Sequence, residues 1–263
     1  QVDAFKANPT SFSGYSAGSH VIVSGDITAA QATALNSVDA TYIKATIEQS
    51  SASDLIAIQQ NNSSRTASNQ FTVSVNDTTA SVATLKSVAD MSLVSDFSTI
   101  DSITASSAAD IKAIYADSAT TFATDVLIAV NDTTIAASDL IALNALSTGK
   151  VTSTATTISG TVANLGTVLA TASTAIGRSA SIAVTVTDTT VDALDLVLLD
   201  ETDADITNGR TTGRYTTGRF TLSSGSSLIG SQAEVVYILG AKFGLADGNT
   251  PARFTNIKDV NIT

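Results

Sequence analysis

One phrase, written three times, constrains this chain more than anything else in it. It reads VNDTTASVATLKSV at Val75–Val88, VNDTTIAASDLIALNAL at Val130–Leu146 and VTDTTVDALDLVLL at Val186–Leu199. The corner aspartates, Asp77, Asp132 and Asp188, stand 55 and then 56 residues apart. A degenerate first copy runs over Ile27–Val38, where Ala34-Leu35-Asn36 matches Ala142-Leu143-Asn144. Each copy reads as the end of a strand, a polar corner and a short helix. Recurrence on this scale marks a repeat architecture, in which each unit hides its apolar face against the next.

A second family of phrases lies between the copies: SDLIAIQQ at Ser53–Gln60, AADIKAIY at Ala108–Tyr115 and VANLGTVLATA from Val162. The positions equivalent to Leu140 fall at Ala32, Leu55, Leu85, Ile111, Leu140, Leu165 and Leu196. Their separations alternate short and long, 23, 30, 26, 29, 25 and 31 residues, so the true period is a pair of βα units. Packing gives a reason for pairing. Strands stack about 4.8 Å apart, whereas helices need roughly 8–10 Å, so one helix per strand forces curvature or alternation. The fold expected is therefore an α/β repeat protein, a solenoid-like stack of βα units with a two-unit period of about 55 residues. The alternative is a right-handed parallel β-helix.

Along the chain, residues 1–19 form a polar N-terminal arm or cap, 20–205 the βα array, and 206–263 an atypical C-terminal unit. Strands are expected at His20–Ser24, Tyr42–Glu48, Phe71–Val75, Val126–Val130, Val151–Ser159 and Ile182–Val186, with a turn at Ser159–Thr161. The aspartate corner is expected to lead straight into its helix. After Asp203 the pattern changes to NGRTTGRYTTGRF at Asn208–Phe220, which holds Arg210, Arg214 and Arg219, half of the six arginines. An apolar helix is expected at Ser231–Phe243, capped by Ser227 or Ser231, and a last strand at Phe254–Thr263.

Composition bears on what such an array can do. With a net charge of −11 and only 14% charged residues, the chain lacks the basic face that nucleic acid needs. An anionic membrane is disfavoured on the same ground, and no apolar run reaches the 18 residues of a membrane span. Absence of cysteine excludes disulfides, thiol chemistry and Cys-ligated zinc. His20 is the sole histidine, with no GxSxG elbow beside it, and Gly160–Gly166 lacks the GK[ST] ending of a phosphate loop. Carbohydrate-cleaving clefts usually carry aromatic platforms, and tryptophan is absent. No enzyme is expected. The sequence opens on Gln1 and reads as a processed chain or a piece of a longer one.

Three groups of residues remain as candidates. Asp77, Asp132 and Asp188, with their threonine neighbours, offer hard oxygen ligands and so a calcium ladder. They lack a DxDxDG loop, and helix capping is the simpler reading. Arg210, Arg214 and Arg219 suit the carboxylates or sulfates of an acidic polysaccharide, or an acidic patch on another copy of the chain. Phe254, Ile257 and Val260 sit on the last expected strand, where a free edge would pair with another copy.

The phrase VxDTT-xxAxDLxAL, followed by TGxVxxxxTTISGTxAxL at Thr148–Leu165, resembles the repeat arrays of very large secreted surface proteins of cyanobacteria and other aquatic bacteria. The resemblance spans roughly residues 20–205 and is best over 126–205. It implies a matrix, adhesive or filament role outside the cell, with no enzymatic residues to carry over. The expected function is an extracellular structural protein, secreted or at the cell surface, that joins copies of itself head-to-tail into a filament, sheath or layer. The alternative is an adhesin or virion fibre segment that grips glycan through Arg210–Arg219.

Overall fold

Phe71, Val73 and Val75 are buried while Thr72 is exposed, the alternation of a strand covered on one face. That pattern recurs throughout the chain. The computed structural model describes residues 19–36, 40–59, 69–179, 182–202, 220–236, 254–255 and 259–263. They fall in two compact units, one within 1–104 and 109–126, the other within 105–108 and 127–263.

The first unit runs β1 (Ser19–Ile27), α1 (Ala29–Leu35), β2 (Ala40–Ile47), α2 (Ala52–Gln59), β3 (Gln70–Ser74), β4 (Thr79–Ala80), α3 (Val82–Met91), β5 (Val94–Phe97), β6 (Ser102–Ser106), α4 (Ala108–Ala116) and β7 (Thr120–Phe122). The start of α4 and the end of β6 belong to the second unit. Strands β1, β2, β3, β5 and β7 pair in that order, all parallel, and β4 pairs in parallel with β6.

The second unit continues with β8 (Leu127–Val130), β9 (Thr134–Ala136), α5 (Ala137–Leu146), β10 (Val151–Ser153), β11 (Thr157–Gly160), α6 (Val162–Ala170), β12 (Ile176–Gly177), β13 (Ala183–Val186), β14 (Thr190–Asp192) and α7 (Ala193–Thr202). Then come β15 (Phe220–Leu222), β16 (Ser227–Gly230), β17 (Phe254–Thr255) and β18 (Asp259–Ile262). Three parallel ladders result: β8-β10-β12, β9-β11-β13-β15-β17 and β14-β16-β18. The protein is thus mixed α/β, built on several parallel sheets.

Register ties sequence spacing to the ladders. Partners are 22 apart at Thr72↔Val94, 23 at Ile135↔Ile158 and 26 at Ile158↔Val184. Beyond Val184 the steps lengthen, as at Val191↔Leu228 and Phe220↔Phe254, while the pairing stays regular. The extra residues fall in 203–219 and 237–253, outside the described residues.

The helices are only seven to ten residues long, too short to persist alone in water. Their stability comes from one buried stripe at three-residue steps: Ala52, Leu55 and Ile58 in α2, Val82, Leu85 and Val88 in α3, Ala137, Leu140 and Leu143 in α5. Every position equivalent to Leu140, from Ala32 to Leu196, is fully buried. Thr28, Ser81 and Thr161 accept N–H bonds at the starts of α1, α3 and α6, and Gln31 completes a capping box at α1.

Several sequence expectations are corrected here. The expected strand Val151–Ser159 is two strands, because the hydroxyls of Thr154 and Thr156 turn to the carbonyls of Val130 and Thr133. The expected turn at Ser159–Thr161 instead ends β11, with Gly160 pressed on the start of α5. A Cβ there would lie 2.9 Å from the Ala137 Cβ, which only glycine avoids. Ser227 opens β16 and caps nothing. Ser231 is the cap, its hydroxyl taking the Glu234 N–H (3.4 Å) while Glu234 Oε2 takes the Ser231 N–H (2.8 Å). Hydrogen bonds from the Ser231 side chain and backbone hold the Glu234 carboxyl below the usual range. Residues 232–236 are helical, and the rest of the expected Ser231–Phe243 helix lies outside the described residues.

Candidate functional site: aspartate corners and edge strands

The corner aspartates do not cap the helices that follow them. Short strands, β4, β9 and β14, intervene between corner and helix. Each carboxylate reaches back about one turn of chain instead. Asp77 Oδ2 accepts the N–H of Ala52 (2.6 Å), Asp132 Oδ2 that of Ala108 (2.7 Å), and Asp188 Oδ2 that of Val162 (2.8 Å). These donors are the first residues of α2, α4 and α6, where the helix leaves N–H groups without internal partners and the dipole favours negative charge.

The backbone beside each aspartate makes the same backward step. Asn76, Asn131 and Thr187 donate their N–H groups to the carbonyls of Ser50 (3.0 Å), Ser106 (3.1 Å) and Gly160 (2.9 Å). The corner carbonyls in turn receive hydroxyls from further along the chain. Thr99 Oγ1 donates to Val75 O, Thr154 Oγ1 to Val130 O (3.3 Å) and Ser223 Oγ to Val186 O (3.0 Å). Ser226 Oγ adds a bond to Asp188 O at 2.8 Å. The repeated phrase is therefore a two-sided staple, with carboxylate and N–H bound to an earlier segment and carbonyls bound to a later one.

As for ligand chemistry, Asp77, Asp132 and Asp188 each face a different helix start. Among the described residues no group of three or more His, Asp or Glu side chains converges as a metal site would. Asp192 is engaged locally, Oδ1 accepting the Leu194 N–H at 2.8 Å. Arg210, Arg214, Arg219 and Ile257 lie outside the described residues. Phe254 lies in β17, its backbone opposite Phe220. His20 is exposed, and its ring packs on Tyr42 with centroids 4.2 Å apart.

Val260 is on β18, an edge strand. Among the described residues β18 pairs only with β16, and β1 only with β2. Thr263 N–H bonds to Gly230 O at 3.1 Å. Backbone groups alternate in direction along a strand, so those of Val260 and Ile262 turn to the unpaired side. The Val260 side chain continues a core column, since Val260 stands opposite Leu228, which stands opposite Val191, and Ile262 stands opposite Gly230. Val191 and Leu228 are buried, yet Val260 is 42% exposed and Ile262 57%. At β1, Val21 is opposite the buried Ile43 and remains half-buried, as does Val23, while Ile22 on the other face is 68% exposed.

Two residues escaped sequence reasoning. Arg178 sends Nη2 to Leu169 O (2.9 Å) and Nη1 to Thr171 O (3.3 Å), a cation at the carbonyl end of α6. A lone arginine past a helix was the only signal. Tyr115 on α4 stacks on Phe122 (4.2 Å), and its buried hydroxyl has no hydrogen-bond partner among the described residues. Burial pushes its pKa up to about 12 from the ordinary 10.0. A buried unpaired hydroxyl costs about 1–3 kcal/mol, so Tyr115→Phe is expected to raise unfolding stability by about 1 kcal/mol in urea. The sign with pH follows. Below pH 10 both states hold the proton. Between pH 10 and 12 the unfolded chain loses it first, so native stability falls. Tyr115→Phe is expected to lessen that alkaline decline, and an unchanged decline would refute the assignment.

Among the described residues no helix is long and apolar enough to cross a membrane. Comparison with family models, with curated proteins and with solved structures finds no match for this chain.

Proposed function

We propose that the chain is a secreted structural protein, a subunit of a filament, sheath or surface layer joined head-to-tail through its terminal strands. The single observation behind this reading is the open end of the Val191–Leu228–Val260 column, where apolar side chains that are buried one and two strands earlier stand exposed. β18 ends the β14-β16-β18 ladder and β1 ends the β1-β2-β3-β5-β7 ladder, and joining two unlike edges gives an open, propagating contact rather than a closed pair. The 20–26-residue register up to Val184 and the paired βα phrases support a solenoid-like stack with a two-unit period. The purified chain is expected to form long polymers by sedimentation and negative-stain microscopy, and a chain lacking Phe254–Thr263 to remain monomeric. Normal polymers from the truncated chain would exclude assembly through β18.

The alternative, a glycan-binding fibre segment, is favoured by one observation. The residues that carry Arg210, Arg214 and Arg219 are inserted between α7 and β15 while β13 and β15 keep their pairing. A monomer retained on immobilised acidic polysaccharide, with retention lost in Arg214→Ala, would select this reading.

A further inference from the structure

Resting on the assembly reading, we infer that the occupant of the β18 edge is the His20–Val23 segment of β1 in a second copy, added in parallel with Val21 opposite Val260 and Val23 opposite Ile262. Three observations carry this pairing. The first is continuity of the core column. Val260 leaves the column open on the β18 edge, and Val21 is half-buried opposite Ile43 on the β1 edge. Joined, they give an unbroken run Val191–Leu228–Val260–Val21–Ile43, with the same strand-to-strand step throughout.

The second is length. The β1–β2 register shifts twice, between Ser19 and Val21 and between Ile22 and Asp26, and Gly25 sits at φ 85°, so β1 carries a bulge after Ile22. Bulges blunt an edge against pairing. Between the two shifts Val21 and Ile22 keep a regular register with Ile43 and Lys44, and His20–Val23 around them sets four residues against the four of β18. Placed in this register they match end to end, and the bulge sets where the contact stops.

The third is polarity on the outer face. The same register sets the exposed His20 beside the exposed Asp259, and Ile22 beside Asn261. A shift by one residue would instead put Asp259 and Asn261 opposite Val21 and Val23, turning every side chain to the wrong face.

The chain contains no cysteine, so introduced thiols report contacts without background. Val21→Cys and Val260→Cys proteins, each checked for native circular dichroism, are mixed and oxidised during assembly. Strands about 4.8 Å apart bring directly opposed residues within disulfide reach, whereas a two-residue offset does not. Cross-links between positions 21 and 260 are expected at least tenfold more often than between 21 and 262 in the matching Val21→Cys and Ile262→Cys mixture. Polymers that sediment but link 21 to 262, or 260 to 260, overturn this partner strand and register while leaving polymer formation standing. A cysteine-free parent chain that never sediments as polymer overturns the assembly reading itself, and this inference with it.

Discussion

Replacing Asp77, Asp132 and Asp188 together with alanine is expected to cost about 3–6 kcal/mol of unfolding free energy, from about 1–2 kcal/mol for each helix cap. The three carboxylates contact three different helix starts, Ala52, Ala108 and Val162, and share no partner, so their effects should add. Each loss exposes a first-turn N–H that no other described side chain replaces at that residue. Asparagine keeps an acceptor oxygen in the same place and caps nearly as well, so the triple Asp→Asn chain should recover most of the loss. Urea unfolding followed by circular dichroism reads all three proteins. A triple alanine chain with the parent's midpoint would show that these bonds contribute nothing. A midpoint that rises with calcium in the parent, and not in the asparagine chain, would assign the corners to metal instead.

The identity of the corner residues was legible in the sequence, but their partners were not. A local rule joins an aspartate to the helix that follows it. Here β4, β9 and β14 hold that helix away. Val82 starts five residues after Asp77, whereas Ala52, 25 residues earlier, is brought under it by the Asn76 to Ser50 bond. Strand pairing decides the contact, and pairing is a long-range property. The helix anchors were legible for the opposite reason. Ala32, Leu55, Leu85, Ile111, Leu140, Leu165 and Leu196 need only helical periodicity and burial, and all are fully buried.

Missed elements share another cause. Strands β7, β12 and β15 have two or three residues, too few for alternation to register. The Val151–Ser159 run looked continuous because β-branched residues fill it, but threonine hydroxyls that bond to backbone compete with the ladder. Of the edge candidates, Val260 was read from position alone. Its meaning comes from the column it ends, which appears only once Val191, Leu228 and Val260 are seen opposite one another.

Phe97→Ala is expected to cost about 3–5 kcal/mol, the range for emptying a buried aromatic site. Phe97 is fully buried at the end of β5 and stands opposite Phe122 of β7, ring centroids 5.2 Å apart. Phe122 in turn stacks on Tyr115, so one substitution removes the innermost ring of a three-ring cluster. Aromatics make up only 5% of this chain, and most core columns are stacked Ile, Val and Leu. Such columns are held at fixed strand spacing by the ladder, so the backbone around a deleted ring has little freedom to close the cavity. The cost should therefore fall in the upper part of that range. Phe122 is only half-buried, and Phe122→Ala should cost less. Urea unfolding of the two variants tests the order. If Phe122→Ala proves the more damaging, the stack against Tyr115, rather than burial under β5, is what holds this cluster together.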